Sequence, residues 1–218
     1  MFTSRLAVTA LVCLTLLAPP AAMAIEEPRH TVIETSGPFQ IRQYEPTLMA
    51  EVEVSGERSD AINKGFRVLA NFIFGNNRVQ QKIAMTAPVT QVAEPASTKI
   101  AMTAPVTQVP VTPGDGQAAG EQRWRVAFMM PSQYTMDTLP LPNDPRIKIG
   151  VMPGERRVAV VFDGFSTQAN LGKHREMLEQ FVKERGLTPI GPYMVAFYND
   201  PFTLPWNRRN EWWVPVAP

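Results

Sequence analysis

The sequence predicts an α+β domain: an antiparallel sheet curled around a shared core, made of two related halves, with two helices on its outside. Three observations predict it. Most of the chain falls into short apolar stretches with period-two alternation, which is the signature of half-buried strands. Two stretches switch to the 3.6-residue period of amphipathic helices. A shift of 108 residues lays Ala50, Val52, Val54 and Gly56 onto Val158, Val160, Phe162 and Gly164, and also Leu69 onto Met177 and Ile73 onto Phe181. Two strand–strand–helix–strand halves close most simply as one sheet with both helices packed on it.

The elements follow in order. Residues 31–35 and 39–44 are extended, broken by Gly37-Pro38. Residues 48–54 alternate, with Ala50, Val52 and Val54 on one face and Glu51 and Glu53 on the other. From about Glu57 to Phe74, Ile62, Phe66, Leu69 and Ile73 form one helical stripe, stopped by Gly75-Asn76-Asn77. In each half a hairpin is expected to end at the matching glycine, Gly56 or Gly164, just before the helix. Strands resume at residues 124–130, 147–152 and 157–162. Ser166 or Thr167 can cap a second helix running to about Arg185, with the stripe Leu171, Leu178, Phe181 and Val182 and with Gly186 just past its end. Residues 193–198 and 210–216 complete the strands.

Between the first helix and the strand at Trp124, eleven residues occur twice without substitution, seventeen residues apart. Lys82 to Val92 reads Lys-Ile-Ala-Met-Thr-Ala-Pro-Val-Thr-Gln-Val, and Lys99 to Val109 repeats it. The two copies could pair as an antiparallel hairpin, although Pro88 and Pro105 each remove a ladder donor.

Residues 1–24 read as a secretory signal peptide: Arg5 near the start, an apolar run from Leu6 to Leu17, and Ala22-Met23-Ala24 at the cleavage site. The apolar run is short for a membrane span, and nothing later approaches 18 apolar residues, so no stable span is expected after cleavage. The expected product, residues 25–218, is one domain, periplasmic or secreted. Cleavage removes Arg5 and Cys13, leaving basic and acidic residues in balance and no cysteine. Disulfides, thiolate catalysis, cysteine-bound metals and covalently attached haem are then excluded. A balanced charge argues against nucleic acid as a partner.

The residues offer little to an enzyme. There is no Gly-x-Ser-x-Gly turn, His-Glu-x-x-His helix or phosphate-cradling glycine loop, so a non-enzymatic protein is expected. His174 lies between Leu171 and Leu178, either as an amphipathic edge residue or as an axial iron ligand, and it is the leading candidate for metal ligation, ahead of His30 near the start of the mature chain and the methionine thioethers. Phe202, Leu204 and Trp206 alternate along a proline-punctuated loop that runs into Arg208-Arg209-Asn210-Glu211-Trp212-Trp213. Aromatic rings beside guanidinium groups suit a flat apolar ligand carrying carboxylates. Equally, Arg209 and Glu211 could pair across one strand face while the tryptophans fill the core.

Four phrases together resemble the SOUL haem-binding family: Ile83 to Val89; Pro131-Ser132-Gln133-Tyr134-Thr135 with Leu139-Pro140; Val158 to Phe162 ending at Gly164; and Ala196-Phe197-Tyr198-Asn199 through Arg208-Arg209-Asn210-Glu211. The resemblance implies a distorted antiparallel β-barrel of two pseudo-symmetric halves flanked by two helices. It implies reversible, non-covalent binding of haem or a related tetrapyrrole in an apolar groove beside the first helix and the loop before the last strand. Carried onto this chain, that groove comprises Ile62, Phe66 and Arg67 on one side and Phe202, Leu204, Trp206 and Arg208 on the other. A histidine proposed as ligand in some members falls at Gln43 here, so binding by burial of the porphyrin face, with basic residues at the propionates, is expected to suffice. Several hundred Å² of apolar burial at about 25 cal/mol per Å² supports micromolar affinity after association costs. The first copy of the duplicated segment sits at the helix-to-strand spacing of the family and the second in what would be a variable connection, with both copies open as occupants of that strand.

The expected function is therefore a haem carrier or buffer. The alternative is a general binder of apolar or cationic small molecules, because the two-halved fold also resembles the effector-binding domains of multidrug-responsive regulators. In that case Glu211 would hold the cation.

Overall fold

A computed structural model describes residues 25–79, 97–111, 122–199 and 202–218. Its strands are β1 (His30–Ser36), β2 (Phe39–Tyr44), β3 (Thr47–Ser55), β4 (Asn77–Arg78), β5 (Val106–Pro110), β6 (Arg123–Met129), β7 (Leu141–Pro142), β8 (Lys148–Met152), β9 (Arg156–Phe162), β10 (Met194–Phe197) and β11 (Asn210–Pro215). The helices are α1 (Arg58–Ile73) and α2 (Gln168–Glu184), with a single 3₁₀ turn at Pro205–Asn207.

Among the described residues nine strands form one antiparallel sheet in the order β1-β2-β9-β11-β10-β5-β6-β3-β8, and β4 pairs with β7 apart from it. That order is a palindrome of two halves. β5-β6-β3-β8 runs outward from the middle on one side and β10-β11-β9-β2 on the other, with β1 added at the edge. α1 packs on β3 and β6, and α2 packs on β9 and β11. The curled sheet with two flanking helices is the α+β architecture that the sequence predicts.

The internal repeat is thus real, with one correction. Neither expected hairpin forms, because β2 pairs with β9 rather than with β3, and β8 pairs with β3 rather than with β9. The first strand of each half crosses to the other half, so the two halves cannot separate without breaking ladders. Gly56 and Gly164 occupy matching places after β3 and β9, at φ of 121° and 93°, where a side chain would be strained.

Alternation along the strands sorts the core into two faces. Val158, Val160 and Phe162 of β9 pack with Trp212 and Val214 against Leu171, Leu178, Phe181 and Val182 of α2. Ala50, Val52, Val126 and Phe128 pack against Leu69, Phe72 and Ile73 of α1. The opposite face collects Tyr44, Met129, Met152, Ala159, Ala196 and Trp213. Thr167 caps α2 by accepting from the Asn170 N–H at 3.2 Å, and Gly186 follows at φ 63°, both as predicted.

α1 departs from its predicted stripe. Its buried residues are Ala61, Gly65, Leu69, Ala70, Phe72 and Ile73, while Ile62 is half-buried and Phe66 is 37% exposed. The small residues Ala61 and Gly65 let the helix lie directly on the sheet. A Cβ on Gly65 would stand 2.6 Å from the Cβ of Val126. The apolar arc of α1 is therefore wider than its core contact, and Ile62 and Phe66 lie on the part left over.

The second copy of the duplicated segment is not a variable connection. Val106 to Pro110 form β5, in the middle of the sheet, and Val106, Thr107 and Gln108 are paired on both sides, to β10 and β6. No edge remains there for the expected hairpin with the first copy. That first copy, residues 82–92, lies outside the described residues, as does the expected signal peptide.

Candidate functional site

The surplus apolar face of α1 forms one wall of a groove of about 500 Å³. Ile62 and Phe66 line it together with Met102, Thr103, Ala104 and Val106 of the second copy, and Phe197 and Tyr198 from the end of β10. The groove therefore lies over β5 and β10, the strands at which the two halves meet, and reaches Ser166 just before α2. Phe66 is braced from behind, edge-on to Phe128 with ring centroids 5.2 Å apart.

Two guanidinium groups line the same groove, Arg58 and Arg208. Arg58 opens α1 and donates from Nη2 to the Ser166 carbonyl at 2.7 Å. Its partner there is a carbonyl dipole rather than a carboxylate, so its charge stays available to an anion. Burial draws this guanidinium below its ordinary value, a sign of partial desolvation. Arg208 donates from Nε to the Thr203 carbonyl at 2.8 Å and lies over the Phe165 ring at 5.1 Å.

Of the residues carried over from the resemblance, Ile62, Phe66 and Arg208 converge on this groove. Arg67 does not. It lies with Lys64, Glu53 and Arg146 in a separate hollow. Arg67 lies about 100° further round the helix than Phe66, on the side of Lys64 and beyond the arc of Arg58, Ser59, Ile62, Asn63 and Phe66 that faces the groove. Arg58, Ile62 and Phe66 share that arc at spacings of four, and that spacing was the available sequence signal for the cation that was missed. Phe202, Leu204 and Trp206 are not among the groove residues. They are 92%, 52% and 66% exposed, on a loop tied back by the Gly164 N–H donating to the Pro205 carbonyl at 2.8 Å.

His174 is an edge residue. Its ring stacks on Phe162 at 4.1 Å and its Nδ1 lies 2.8 Å from the Asn170 carbonyl, away from the groove. Among the described residues no group of three or more histidine, cysteine or acidic side chains is placed to hold a metal ion. No histidine lines the groove, and among the described residues its side chains with any capacity for iron are Met102 and Tyr198.

Glu211, on β11 beside β10, is fully buried and already occupied. Arg42 donates to both its oxygens, at 2.7 and 3.0 Å. Arg209 donates at 2.9 Å and Tyr198 at 3.0 Å, and the Trp213 indole N–H completes the shell. Of the two readings of Arg209 and Glu211, pairing is therefore the one realised, with Trp212 and Trp213 in the core. Burial by itself pushes the Glu211 carboxyl up, but the hydrogen bonds and charges of Arg42 and Arg209 outweigh it and leave the group below its usual range. Arg42, buried and raised by the same pairing despite its own desolvation, was missed because its partner lies 169 residues away.

Comparison with known proteins bears on what this arrangement is. The profile of the SOUL heme-binding protein family matches residues 25–215. The chain belongs to the SOUL family. Among SOUL relatives, the human protein named Heme-binding protein 2 is 32% identical over 202 residues, spanning 89% of this chain and 87% of its own. The mouse Heme-binding protein 1 is 24% identical over 180 residues, covering 82% and 84%. Solved structures share the fold of this SOUL chain at much lower identity. The C-terminal domain of EcmrR matches with a TM-score of 0.55 and 11% identity over 82% of this chain and 96% of its own. A protein described as a hydrolase from Listeria innocua matches with a TM-score of 0.51 and 12% identity over 85% and 94%.

Proposed function

We propose that this SOUL protein is a non-enzymatic carrier or buffer of haem, bound non-covalently in the groove between α1 and the β5–β10 seam. The observation that carries this is the pairing of an apolar wall (Ile62, Phe66, Met102, Val106, Phe197) with two arginines in one groove of suitable size. Haem is a flat apolar disc with two propionates on one edge. Its faces would be held by those apolar side chains and its propionates by Arg58 and Arg208. Because no histidine lines the groove, burial and salt bridges supply the affinity. Haem-binding relatives covering most of the chain support the choice of ligand. On the sequence reading of residues 1–24, the protein works in the periplasm or outside the cell. N-terminal sequencing of the protein recovered from its own periplasm should then begin at Ile25.

The alternative is a general binder of apolar or cationic small molecules, and its cationic form finds no open carboxylate at Glu211. That group is sealed by two arginines, and an entering cation would have to displace one of them.

Titration with haemin tests the proposal. A Soret shift with micromolar affinity is expected, weakened roughly ten- to a hundredfold in Arg58→Ala, since a hydrogen bond to a charged group contributes roughly 1.5–3 kcal/mol. Binding no tighter than to an unrelated control protein would sink it. Displacement of haem by equimolar tetraphenylphosphonium would favour the alternative.

A further inference from the structure

We propose that Met102 is the iron ligand of the groove, its thioether sulfur coordinating haem iron and holding the ferrous form more tightly than the ferric. Within the haem reading of the groove, on which this rests, the apolar wall and the two arginines hold a tetrapyrrole by its faces and carboxylates. Nothing in them responds to the metal at its centre.

Met102 stands in the groove wall on a fixed backbone. On one side of it the Ile100 N–H donates to the Ile73 carbonyl at 2.8 Å. On the other, Thr103 Oγ1 donates to the Met129 carbonyl and the Ala104 N–H to the Glu26 carbonyl at 2.9 Å. Ile100, Thr103 and Ala104 are all buried, whereas Met102 is 41% exposed. Methionine commonly fills irregular gaps in a core. This one belongs to none of the three core clusters, so core packing does not account for it.

Tyr198 is the rival donor, and its chemistry is already engaged. Its hydroxyl donates to Glu211 at 3.0 Å, and the Arg209 guanidinium lies over its ring at 3.8 Å. It would bind iron as a phenolate, yet burial, and then the charge of Glu211, holds the phenol protonated far into the alkaline range. The other polar side chains lining the groove are hydroxyls, amides and guanidinium groups, none of which is a customary ligand of haem iron.

A neutral, soft sulfur stabilises ferrous over ferric iron, and methionine ligation raises the potential of a haem for that reason. Affinity and potential are linked through one thermodynamic cycle. Ferrous haem bound about tenfold tighter than ferric haem places the bound couple about 59 mV above the free one.

Leucine matches methionine closely in volume and lacks the sulfur, so Met102→Leu separates ligation from packing. The control is Met136→Leu, at an exposed methionine that is not among the groove residues. Wild type and both variants are titrated with ferric haemin, with haem reduced by dithionite under argon, and with iron-free protoporphyrin IX. Wild type should bind ferrous haem about tenfold tighter than ferric. Met102→Leu should lose that preference, lower the potential of bound haem by about 59 mV and change the ferrous absorption spectrum, with protoporphyrin binding as in wild type. Met136→Leu should alter none of these. Absence of the ferrous preference in a wild type that binds haem and protoporphyrin would overturn the proposal and leave the haem reading standing. Retention of the preference by Met102→Leu, or its loss in Met136→Leu, would also overturn it. So would weakening of protoporphyrin and haem alike by Met102→Leu, which marks packing alone. A wild type that binds neither would overturn the haem reading, and this ligand with it.

Discussion

At the scale of single residues, the buried carboxylate of Glu211 ties β11 to β2 and to the inner aromatic cluster. Its two arginines make it a site where removing one charge leaves others stranded. Glu211→Gln is expected to destabilise the fold by about 3–5 kcal/mol, read from urea unfolding. The same carboxyl gives an acid limb to stability. Its folded value lies below the ordinary 4.5, so its contribution is present above about pH 4.5 and is lost as the pH falls through that lower value. Tyr198 gives the alkaline limb. Burial first, and then the charge of Glu211, raises its phenol well above 10. Its contribution is present below pH 10 and disappears as the pH rises further, so absorbance near 295 nm should show Tyr198 ionising only together with unfolding. Little of this cluster was legible in advance. Arg209 and Glu211 are two residues apart and visibly able to pair, whereas Arg42 sits on a strand whose neighbours only the sheet order reveals.

At the scale of elements, both helices and eight of the strands were legible to within a residue or two because burial on one face writes its period into the sequence, whereas β5 read as a connection and the two-residue β4 and β7 gave no periodic signal. Partners were not. β2 and β3 read as a hairpin, yet each pairs across the molecule, since local sequence specifies an extended segment but not the strand it lies beside. The stripe of α1 was displaced by one residue for a different reason. Ile62 and Phe66 are the large apolar residues, but Ala61 and Gly65 face the sheet because contact at that distance admits only small side chains. Gly65→Ala should therefore destabilise by about 1–3 kcal/mol, observable as a lowered Tm, even though alanine favours a helix by about 1 kcal/mol over glycine. A rise in Tm would show that α1 does not press on Val126.

At the scale of the whole molecule, the 108-residue repeat anticipated the two-halved sheet, and the groove lies where the halves join. The candidate site was only half legible. Ile62, Phe66 and Arg208 meet in the groove, Arg67 faces elsewhere, and the loop aromatics stand outside it. Arg58 and the wall provided by the second copy became visible once α1 and β5 were placed side by side. The central claim is that haem is held in this groove and not in the neighbouring hollow or on the aromatic loop. Haemin titration of Phe66→Glu beside Arg67→Ala tests it most directly. A carboxylate placed on the apolar wall should weaken binding at least tenfold, while loss of Arg67 should leave the Soret titration unchanged. Wild-type binding by Phe66→Glu, or loss of binding in Arg67→Ala alone, would contradict the account.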